Sequence, residues 1–237
     1  MVRAIIVADG DLPAGDAGLH LLLAPDEDGA PIVIAADGGA RKAVELGLSP
    51  DLVIGDGDSL TAAEIAQFSA RGADVLLFPP EKDESDTELA LREAVARGAR
   101  RIVIVGALGG ERIDHGLANV ALLALPEGEG RDVALTDGRA IVRLVGRPDG
   151  PGELRIVGQP HDLVSLLPLD PAVEGVRTTG LRYPLHGEAL RLGTSRGLSN
   201  ELVENEARVN TRTGRLLVVH TPLPTKGKAP PSSRRST

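Results

Sequence analysis

Residues 31–59, which read PIVIAADGGARKAVELGLSPDLVIGDGDS, alternate between apolar runs and a helical segment. The apolar run Pro31 to Ala35 predicts a strand, and Gly39 to Leu46 predicts a helix that Gly47 ends. A second apolar run, Asp51 to Ile54, predicts the next strand. Continuous apolar runs suit strands that are covered on both faces, so this stretch predicts a β-α-β unit of a parallel sheet.

The same pattern continues on both sides of this unit. Thr61 with Glu64 forms a capping box, Ser85 with Glu88 marks another helix start, and a fourth helix is predicted to follow Asp114 and to run to about Leu125. Residues 1–137 are therefore expected to form an α/β domain with a mainly parallel, Rossmann-like sheet. The other predicted strands are Ala4 to Ala8, Asp74 to Phe78, Arg101 to Val105 and Asp132 to Thr136.

The helical pattern disappears after Asp137. Short alternating strands separated by Gly and Pro follow, and they predict an antiparallel β-sandwich domain over residues 138–221. Residues 222–237 are rich in Pro, Ser and basic residues, which is typical of a disordered tail. Examples of these strands are Ala140 to Val145, Leu163 to Leu167, Glu188 to Leu192 and Arg215 to His220.

Composition excludes several classes of protein. The core must be mainly aliphatic because Phe68, Phe78 and Tyr183 are the only aromatic residues. The absence of Cys excludes a disulfide framework, a thiolate metal site and a cysteine nucleophile. The start of the chain lacks the apolar segment of a signal peptide and no run reaches membrane-spanning length, so we expect a cytoplasmic protein without a membrane partner.

The charge distribution argues against nucleic-acid binding. The net charge is −8, and the stretch 221–237 carries four cations and no acid, so residues 1–220 carry −12. Affinity for nucleic acid depends on clustered Lys and Arg, which this acidic body lacks. An acidic protein can still bind ATP when metal ions lie between its carboxylates and the phosphates.

Acidic residues follow four of the predicted strands, where an α/β sheet binds its ligands. Like charges gathered at one sheet edge repel each other, and a bound cation relieves that repulsion. The loops read Ala36-Asp37-Gly38-Gly39, Gly55-Asp56-Gly57-Asp58-Ser59, Pro79-Pro80-Glu81-Lys82-Asp83-Glu84-Ser85-Asp86 and Gly106-Ala107-Leu108-Gly109-Gly110-Glu111-Arg112-Ile113-Asp114-His115.

Asp56 and Asp58 are a candidate Mg²⁺ site, because one glycine separates them and both carboxylates can point the same way. Mg²⁺ prefers a few carboxylates completed by waters and substrate phosphates. Each acid also has a structural alternative. The pair and Asp37 suit turns, Asp86 complements a helix dipole, and Asp114 is a possible N-cap.

Arg112 can bind a phosphate oxygen through its planar donor fork, although a solvated surface arginine is the alternative. Gly38 and Gly39 permit close backbone approach, and the helix that follows Gly38 offers N–H groups to an anion. The chain has neither GxGxxG nor GxxxxGK[ST], so a dinucleotide-binding fingerprint and a P-loop are both absent.

Six ordered blocks resemble the thiamine pyrophosphokinase family, whose bacterial members have patterns close to ADGGAN, PDLIIGDFDS, FPPEKDxTD, GGRxDHTLAN, GLKYPL and SSRGxSNE. Here they read ADGGAR, PDLVIGDGDS, FPPEKDESD, GGERIDHGLAN, GLRYPL and TSRGLSNE, from about Asp37 to Glu201. The resemblance implies an α/β domain that binds ATP and a β-sandwich that binds thiamine. It also implies a homodimer with thiamine pockets near the subunit interface.

The resemblance also implies roles for individual residues. Asp56, Asp58 and Asp86 would hold Mg²⁺ and, with Arg112 and Asp114, form the catalytic set. The nucleotide and phosphate region would include Asp37, Gly38, Gly39, Arg112 and Asp114. Lys82 and Asp83 would flank the place where thiamine meets the phosphates, and Ser199 with Asn200 would approach thiamine.

Tyr183 occupies an aromatic position of the family, where a ring could stack on thiamine; packing in the core or on an edge strand is the alternative. Three departures from the family pattern stand out. Gly57 replaces Phe, Arg41 replaces Asn, and Glu111 adds a residue before Arg112.

The implied reaction is attack of the thiamine hydroxyl on the β-phosphorus of ATP, which gives thiamine diphosphate and AMP. Asp86 and Asp83 are both candidates to accept the proton, a metal-bound alkoxide is the alternative to either, and the residues do not choose among them. Two alternatives are a related pyrophosphokinase that acts on another hydroxymethyl compound, such as a pterin, and a sensor that binds nucleotide or thiamine without turnover.

Overall fold

The computed structural model describes residues 1–12, 19, 29–110 and 112–223. In the described part of the first half, six strands alternate with four helices. The strands are β1 (Arg3–Val7), β2 (Ile32–Ala36), β3 (Leu52–Gly55), β4 (Asp74–Leu77), β5 (Arg101–Val105) and β6 (Asp132–Thr136). The helices are α1 (Gly39–Glu45), α2 (Ala62–Ala70), α3 (Asp86–Ala96) and α4 (Ile113–Ala121).

Eight further strands make up most of the described second half, as the alternating pattern predicts. They are β7 (Ile141–Val145), β8 (Gly152–Val157), β9 (Leu163–Pro168), β10 (Ala172–Thr179), β11 (His186–Arg191), β12 (Asn200–Glu201), β13 (Glu206–Thr211) and β14 (Leu216–Thr221).

Two sheets carry the fold, and they confirm the predicted fold class. The larger has the order β12-β9-β14-β7-β6-β5-β1-β2-β3-β4, and its strands from β6 to β4 pair in parallel. The smaller, β11-β10-β13-β8, is antiparallel. Val164 and Val218 of the larger sheet share one core cluster with Ile156 and Val209 of the smaller, so the two sheets form a sandwich in the second half.

The order of the parallel strands creates a crevice beside β1. The chain steps outward from β1 through β2, β3 and β4, and then returns to place β5 on the other side of β1. The loops after β1 and β5 therefore leave the sheet in opposite directions. In open α/β sheets, ligands bind at the carboxyl ends of the strands at such a switch point.

The larger sheet continues through residue 137, because β6 pairs antiparallel with β7. The division into domains at that residue stays a prediction. The predicted tail lies outside the described residues from residue 224 onward, and so does Glu111. No helix in the described part of the chain is long and apolar enough to cross a bilayer.

The helix starts follow the predicted caps with one exception. Thr61 and Glu64 form both bonds of the capping box, and the Ser85 hydroxyl accepts the N–H of Glu88. The interpretation of Asp114 as an N-cap is wrong, because Arg112 is the N-cap of α4 and Asp114 lies inside the first turn. Helix α4 also ends earlier than predicted. A 3-10 turn follows at Leu122–Ala124, and the residue before Pro126 is extended.

The core of the first half is aliphatic, and Ile104 of β5 is fully buried in it. We expect Ile104→Ala to lower the free energy of unfolding by about 2–5 kcal/mol, through lost burial and the cavity left behind. Val157→Ala on β8 is the control, since its side chain is 58% exposed, and it should change stability by less than about 0.5 kcal/mol. Urea denaturation measures both variants, and equal losses would contradict this placement of the core.

Candidate active site

A cleft of about 590 Å³ opens where the carboxyl ends of the parallel strands meet. Loops after β1, β2, β3 and β5 contribute to it, so it occupies the switch point beside β1. The loop between β4 and α3 closes one side, and α4 borders the other. Its lining residues include Asp9, Gly10, Asp37, Gly38, Asp56, Asp58, Ser59, Lys82, Asp86, Gly109, Arg112, His115 and Asn119.

Asp37 is the most buried acid of the cleft, with 5% of its surface exposed. Its φ of 43° lies in the left-handed region, and its N–H donates to the Ile54 carbonyl at 2.9 Å. Oδ2 accepts the Ser59 N–H at 3.0 Å. Oδ1 is buried, and none of the described residues donates a hydrogen bond to it. A buried carboxylate oxygen without a donor is costly unless a cation or ligand completes it.

Gly55 at the end of β3 makes room for two acids. A Cβ there would lie 2.9 Å from Asp37 Cβ and 3.1 Å from Asp86 Cγ. Any larger residue would push these side chains apart. The glycine therefore allows Asp37 and Asp86 to approach each other over the β3 terminus.

Asp56 and Asp58 lie close together, as the spacing predicts. Asp56 Oδ1 accepts the N–H of Asp58 at 3.2 Å, and Asp58 Oδ1 accepts the Ser59 hydroxyl at 3.1 Å. The Asp58 N–H is the largest cause that holds the pKa of Asp56 below its ordinary value, and the Lys82 ammonium adds to it against the opposing effect of burial. The Asp56 carboxylate is therefore ionised and ready to accept a cation.

One oxygen from each of Asp37, Asp56 and Asp58 falls within a group whose members are at most 4.8 Å apart. This spacing and the all-oxygen donor set suit a hard divalent cation such as Mg²⁺. The partnerless Oδ1 of Asp37 supports the same interpretation. The residues present therefore fit the metal that the sequence predicts.

Asp86 begins helix α3 and is paired differently from the other acids. Lys82 Nζ lies 3.0 Å from Asp86 Oδ1, in an ion pair without hydrogen-bond alignment, and 3.2 Å from Asp56 Oδ2. Burial raises the pKa of Asp86, Lys82 opposes this, and the charges of Asp56 and Asp37 reinforce it, with a net rise. Burial lowers the pKa of Lys82, but Asp86 and Asp56 outweigh it and raise that pKa.

Arg112 lies on the rim of the cleft, and its guanidinium is paired with the carboxylate of Asp114. Its Nε and Nη2 donate to the two carboxylate oxygens of Asp114 at 2.9 and 2.6 Å. This pairing is the largest cause that lowers the pKa of Asp114 to about 2. Both side chains are exposed, so the guanidinium can exchange this carboxylate for a phosphate at low cost.

Other atoms come close to the backbone at Gly38 and Gly39, as predicted, but these atoms belong to the protein itself. A Cβ on Gly38 would lie 2.4 Å from Asp9 Oδ2, and one on Gly39 would lie 2.0 Å from the Val7 carbonyl. The first glycine admits the Asp9 carboxylate, and the second lets α1 pack on β1.

Three residues predicted to approach thiamine lie away from this cleft within one chain. Tyr183 is 62% exposed. The Asn200 amide binds the Tyr183 backbone, accepting its N–H at 3.0 Å and donating to its carbonyl at 2.8 Å. Ser199 has a left-handed φ of 57° and donates its N–H to the Ser165 hydroxyl. Asp83 is exposed and does not line the cleft.

The sequence prediction missed Asp9 and Lys42. Asp9 lies two residues after the end of β1, so it carries the same strand-end signal as the acids that were identified. Lys42 Nζ donates to the Gly10 carbonyl at 2.6 Å and lies 3.9 Å from Asp9 Oδ1. Its signal is weak, because a lysine inside a helix usually points to solvent.

Arg41, which replaces the family's Asn, ties α1 to α2. Its Nε and Nη2 donate to the two carboxylate oxygens of Glu64 at 2.6 and 2.8 Å. Glu64 also accepts the N–H and hydroxyl of Thr61. The pair therefore braces the loop that carries Asp56 and Asp58, where Gly57 has a left-handed φ of 75° and no side chain to anchor it.

Comparisons with known proteins agree with this geometry. Residues 27–135 match the family model for the thiamin pyrophosphokinase catalytic domain, and residues 154–216 match that for its vitamin B1 binding domain. The thiamine pyrophosphokinase of Bacillus subtilis is 28% identical over 187 residues, which cover 78% of this chain and 85% of the relative.

Two solved structures are similar over nearly their whole length. The thiamine pyrophosphokinase from Bacillus subtilis superposes with a TM-score of 0.77 at 27% identity and covers 93% of this chain and 99% of its own. A thiamin pyrophosphokinase family protein from Enterococcus faecalis gives 0.76 at 29% identity, with coverages of 92% and 98%.

The Arg41 contact predicts a measurable pKa change. The pKa of Glu64 is about 2, with the Arg41 hydrogen bonds as the largest cause and Thr61 as the next. We expect Arg41→Asn to raise this pKa toward its ordinary value near 4.3, with Thr61 keeping it partly lowered. A carboxyl-carbon NMR titration measures it, and Arg71→Asn, which alters another exposed arginine, is the control.

The stability linkage has a definite sign. Because the folded-state pKa of Glu64 is lowered, its contribution is present above the unfolded-state pKa and is lost as the pH falls through the folded-state value. Arg41→Asn should therefore reduce the pH dependence of unfolding between about pH 2 and pH 4. An unchanged Glu64 pKa in the variant would show that Arg41 does not brace this loop in solution.

Proposed function

This chain belongs to the thiamin pyrophosphokinase family, and we propose that its acidic cleft transfers a diphosphoryl group from ATP to thiamine. The products are thiamine diphosphate and AMP. The observation that carries the proposal is the convergence of Asp37, Asp56 and Asp58 within 4.8 Å at the switch point of the sheet. A triphosphate bound there needs cations to offset its charge, and the three carboxylates can bind such cations.

Asp37, Asp56 and Asp58 would hold Mg²⁺, with Asp86 beside them. When bound, the metal offsets the negative charge of the phosphates. Lys82 and Arg112 are the cationic side chains of the cleft suited to phosphate oxygens. The task of the cleft is alignment and charge stabilisation, because no covalent enzyme intermediate is required.

The group transfer balances without a co-reactant. The thiamine hydroxyl oxygen forms a bond to the β-phosphorus, the bond from that phosphorus to the bridging α-β oxygen breaks, and AMP leaves with the electron pair. The hydroxyl proton must be accepted near the cleft. Of the two candidates, Asp86 lines the cleft and has a raised pKa, whereas Asp83 is exposed and does not line it. We therefore favour Asp86.

We further propose a homodimer in which each active site draws on both chains. Within one chain, Tyr183, Ser199 and Asn200 do not line the acidic cleft. Exposed apolar side chains border that cleft on α4, where Ile113 is 79% exposed and Leu117 is 67% exposed. A second copy that covers α4 would bury these side chains and bring its thiamine-binding residues toward the phosphates. A cytoplasmic location stays a prediction.

The defining experiment mixes purified protein with ATP, Mg²⁺ and thiamine and follows AMP and thiamine diphosphate. We expect equal amounts of both products, and none when EDTA removes the metal. AMP formation with a hydroxymethylpterin in place of thiamine would favour the related pyrophosphokinase. Tight binding without AMP would favour the sensor and overturn the proposal.

Asp58 tests the metal site with little effect on packing, because its side chain is exposed. We expect Asp58→Asn to lower kcat at least about 100-fold with an unchanged melting temperature. Asp74→Asn is the matched control. Its carboxylate is 70% exposed on β4, outside the cleft, and forms a 3.5 Å ion pair with Arg97. Near-normal turnover of folded Asp58→Asn would remove that residue from the metal site.

Shared sites predict complementation between two inactive variants. We expect Asp58→Asn and Tyr183→Ala, each inactive at a low thiamine concentration, to regain about a quarter of wild-type activity after co-refolding, because half of the dimers are mixed and each holds one intact site. Mixing Asp58→Asn with Asp56→Asn is the control and should restore nothing. Failure of the first mixture, with dimers verified by light scattering, would place each site within one chain.

A further inference from the structure

The Lys82 ammonium lies between two carboxylates of the cleft, a position that a side chain does not normally take in a metal-binding site. Its Nζ lies between Asp56 Oδ2, at 3.2 Å, and Asp86 Oδ1, at 3.0 Å. Its side chain is only 10% exposed. The lysine lies four residues before Asp86, in the loop that leads into helix α3. One ammonium thus bridges Asp56, a proposed metal ligand, and Asp86, which lies beside the proposed ligands.

The bridging contact competes with a divalent cation for Asp56. Oδ1 of that residue already accepts the Asp58 N–H, and Oδ2 accepts the Lys82 ammonium. The backbone donor belongs to the braced loop and has little freedom to leave. The ammonium sits on a flexible four-carbon stem and can turn away. Withdrawal of Lys82 is therefore the change that frees Asp56.

We propose that Lys82 is a place-holding cation, which competes with the metal for Asp56 and transfers to the polyphosphate when nucleotide and metal bind. This inference rests on the proposed function. The ammonium offsets the repulsion among Asp37, Asp56 and Asp86 while the site is free. After transfer it neutralises phosphate charge within the same cleft, so its charge is used in both states.

The exchange makes metal and nucleotide binding cooperative. A divalent cation that binds alone must displace an ammonium that has no new partner. The affinity of the site for the divalent cation is therefore reduced. A polyphosphate offers that partner, and by reciprocity each ligand then favours the other. Binding of both ligands together is therefore favoured over binding of the metal alone, and the acidic site is protected from occupation by metal alone.

Lys82→Met tests this with two binding measurements that should move in opposite directions. Mn²⁺ alone, followed by electron paramagnetic resonance, is expected to bind the variant about tenfold more tightly than the wild type, since no ammonium competes. A non-hydrolysable ATP analogue in EDTA, followed by calorimetry, is expected to bind about tenfold more weakly, since the phosphates lose a cation. A folding defect would weaken both.

Two further variants keep the test decisive. Lys82→Gln removes the same charge with a polar side chain and should reproduce both shifts if Lys82→Met is poorly folded. Lys42→Met removes a nearby lysine that contacts Asp9 and the Gly10 carbonyl but none of the proposed metal ligands. It should change the Mn²⁺ affinity less than about twofold.

Two outcomes overturn the inference. One is a Mn²⁺ affinity in both Lys82 variants no tighter than in the wild type. The other is an equal gain in Lys42→Met, which would show a general field effect rather than competition for one position. These outcomes leave the proposed function intact as long as the wild type produces AMP and thiamine diphosphate, whereas loss of that reaction would refute the function independently of Lys82.

Discussion

The structure depends on holding several carboxylates together at one edge of a parallel sheet. Asp37 and Asp86 meet over Gly55, where no Cβ could fit between them, and Asp56 joins them through the loop that follows. Their mutual repulsion opposes folding unless it is offset. Backbone N–H groups, including that of Ser59, and the Lys82 ammonium offset this repulsion. One buried oxygen of Asp37 is left for a ligand.

The topology explains why the acids meet at this place. The reversal of strand order beside β1 opens the sheet edge, and the described parts of the loops after β1 and β5 are joined by a backbone hydrogen bond from the Gly10 N–H to the Gly106 carbonyl at 2.8 Å. A sheet without that reversal would cover its carboxyl ends with crossing loops. The cleft is therefore a consequence of strand order, and the acids give it a preference for cations.

Local signals made much of this predictable. Apolar runs located the six parallel strands, and the Thr61 and Ser85 caps located two helix starts, because both depend on neighbours within a few residues. Strand-end acids pointed to the cleft. The partners of each acid were not predictable, since they depend on how loops approach one another in space. Asp37 joins Asp56 and Asp58, while Asp86 pairs with Lys82, although all four looked alike in sequence.

Longer-range features escaped prediction for the same reason. Nothing local to residue 137 indicates that β7 extends the first sheet, because that pairing is set by contacts across the sandwich. Asn200 looked like a ligand-binding residue, yet its amide is engaged by the backbone of Tyr183, seventeen residues earlier. It holds the backbone of the tyrosine loop, and its role toward thiamine stays a prediction.

The departures from the family pattern compensate for each other. A loop with Gly57 between two metal-binding acids gains backbone freedom, which weakens preorganisation of the site. The Arg41–Glu64 pair restrains the same loop from its far end, through the capping box of α2. Arg41 thus supplies, by a charged contact between two helices, a restraint on this loop that Gly57 cannot supply from within it.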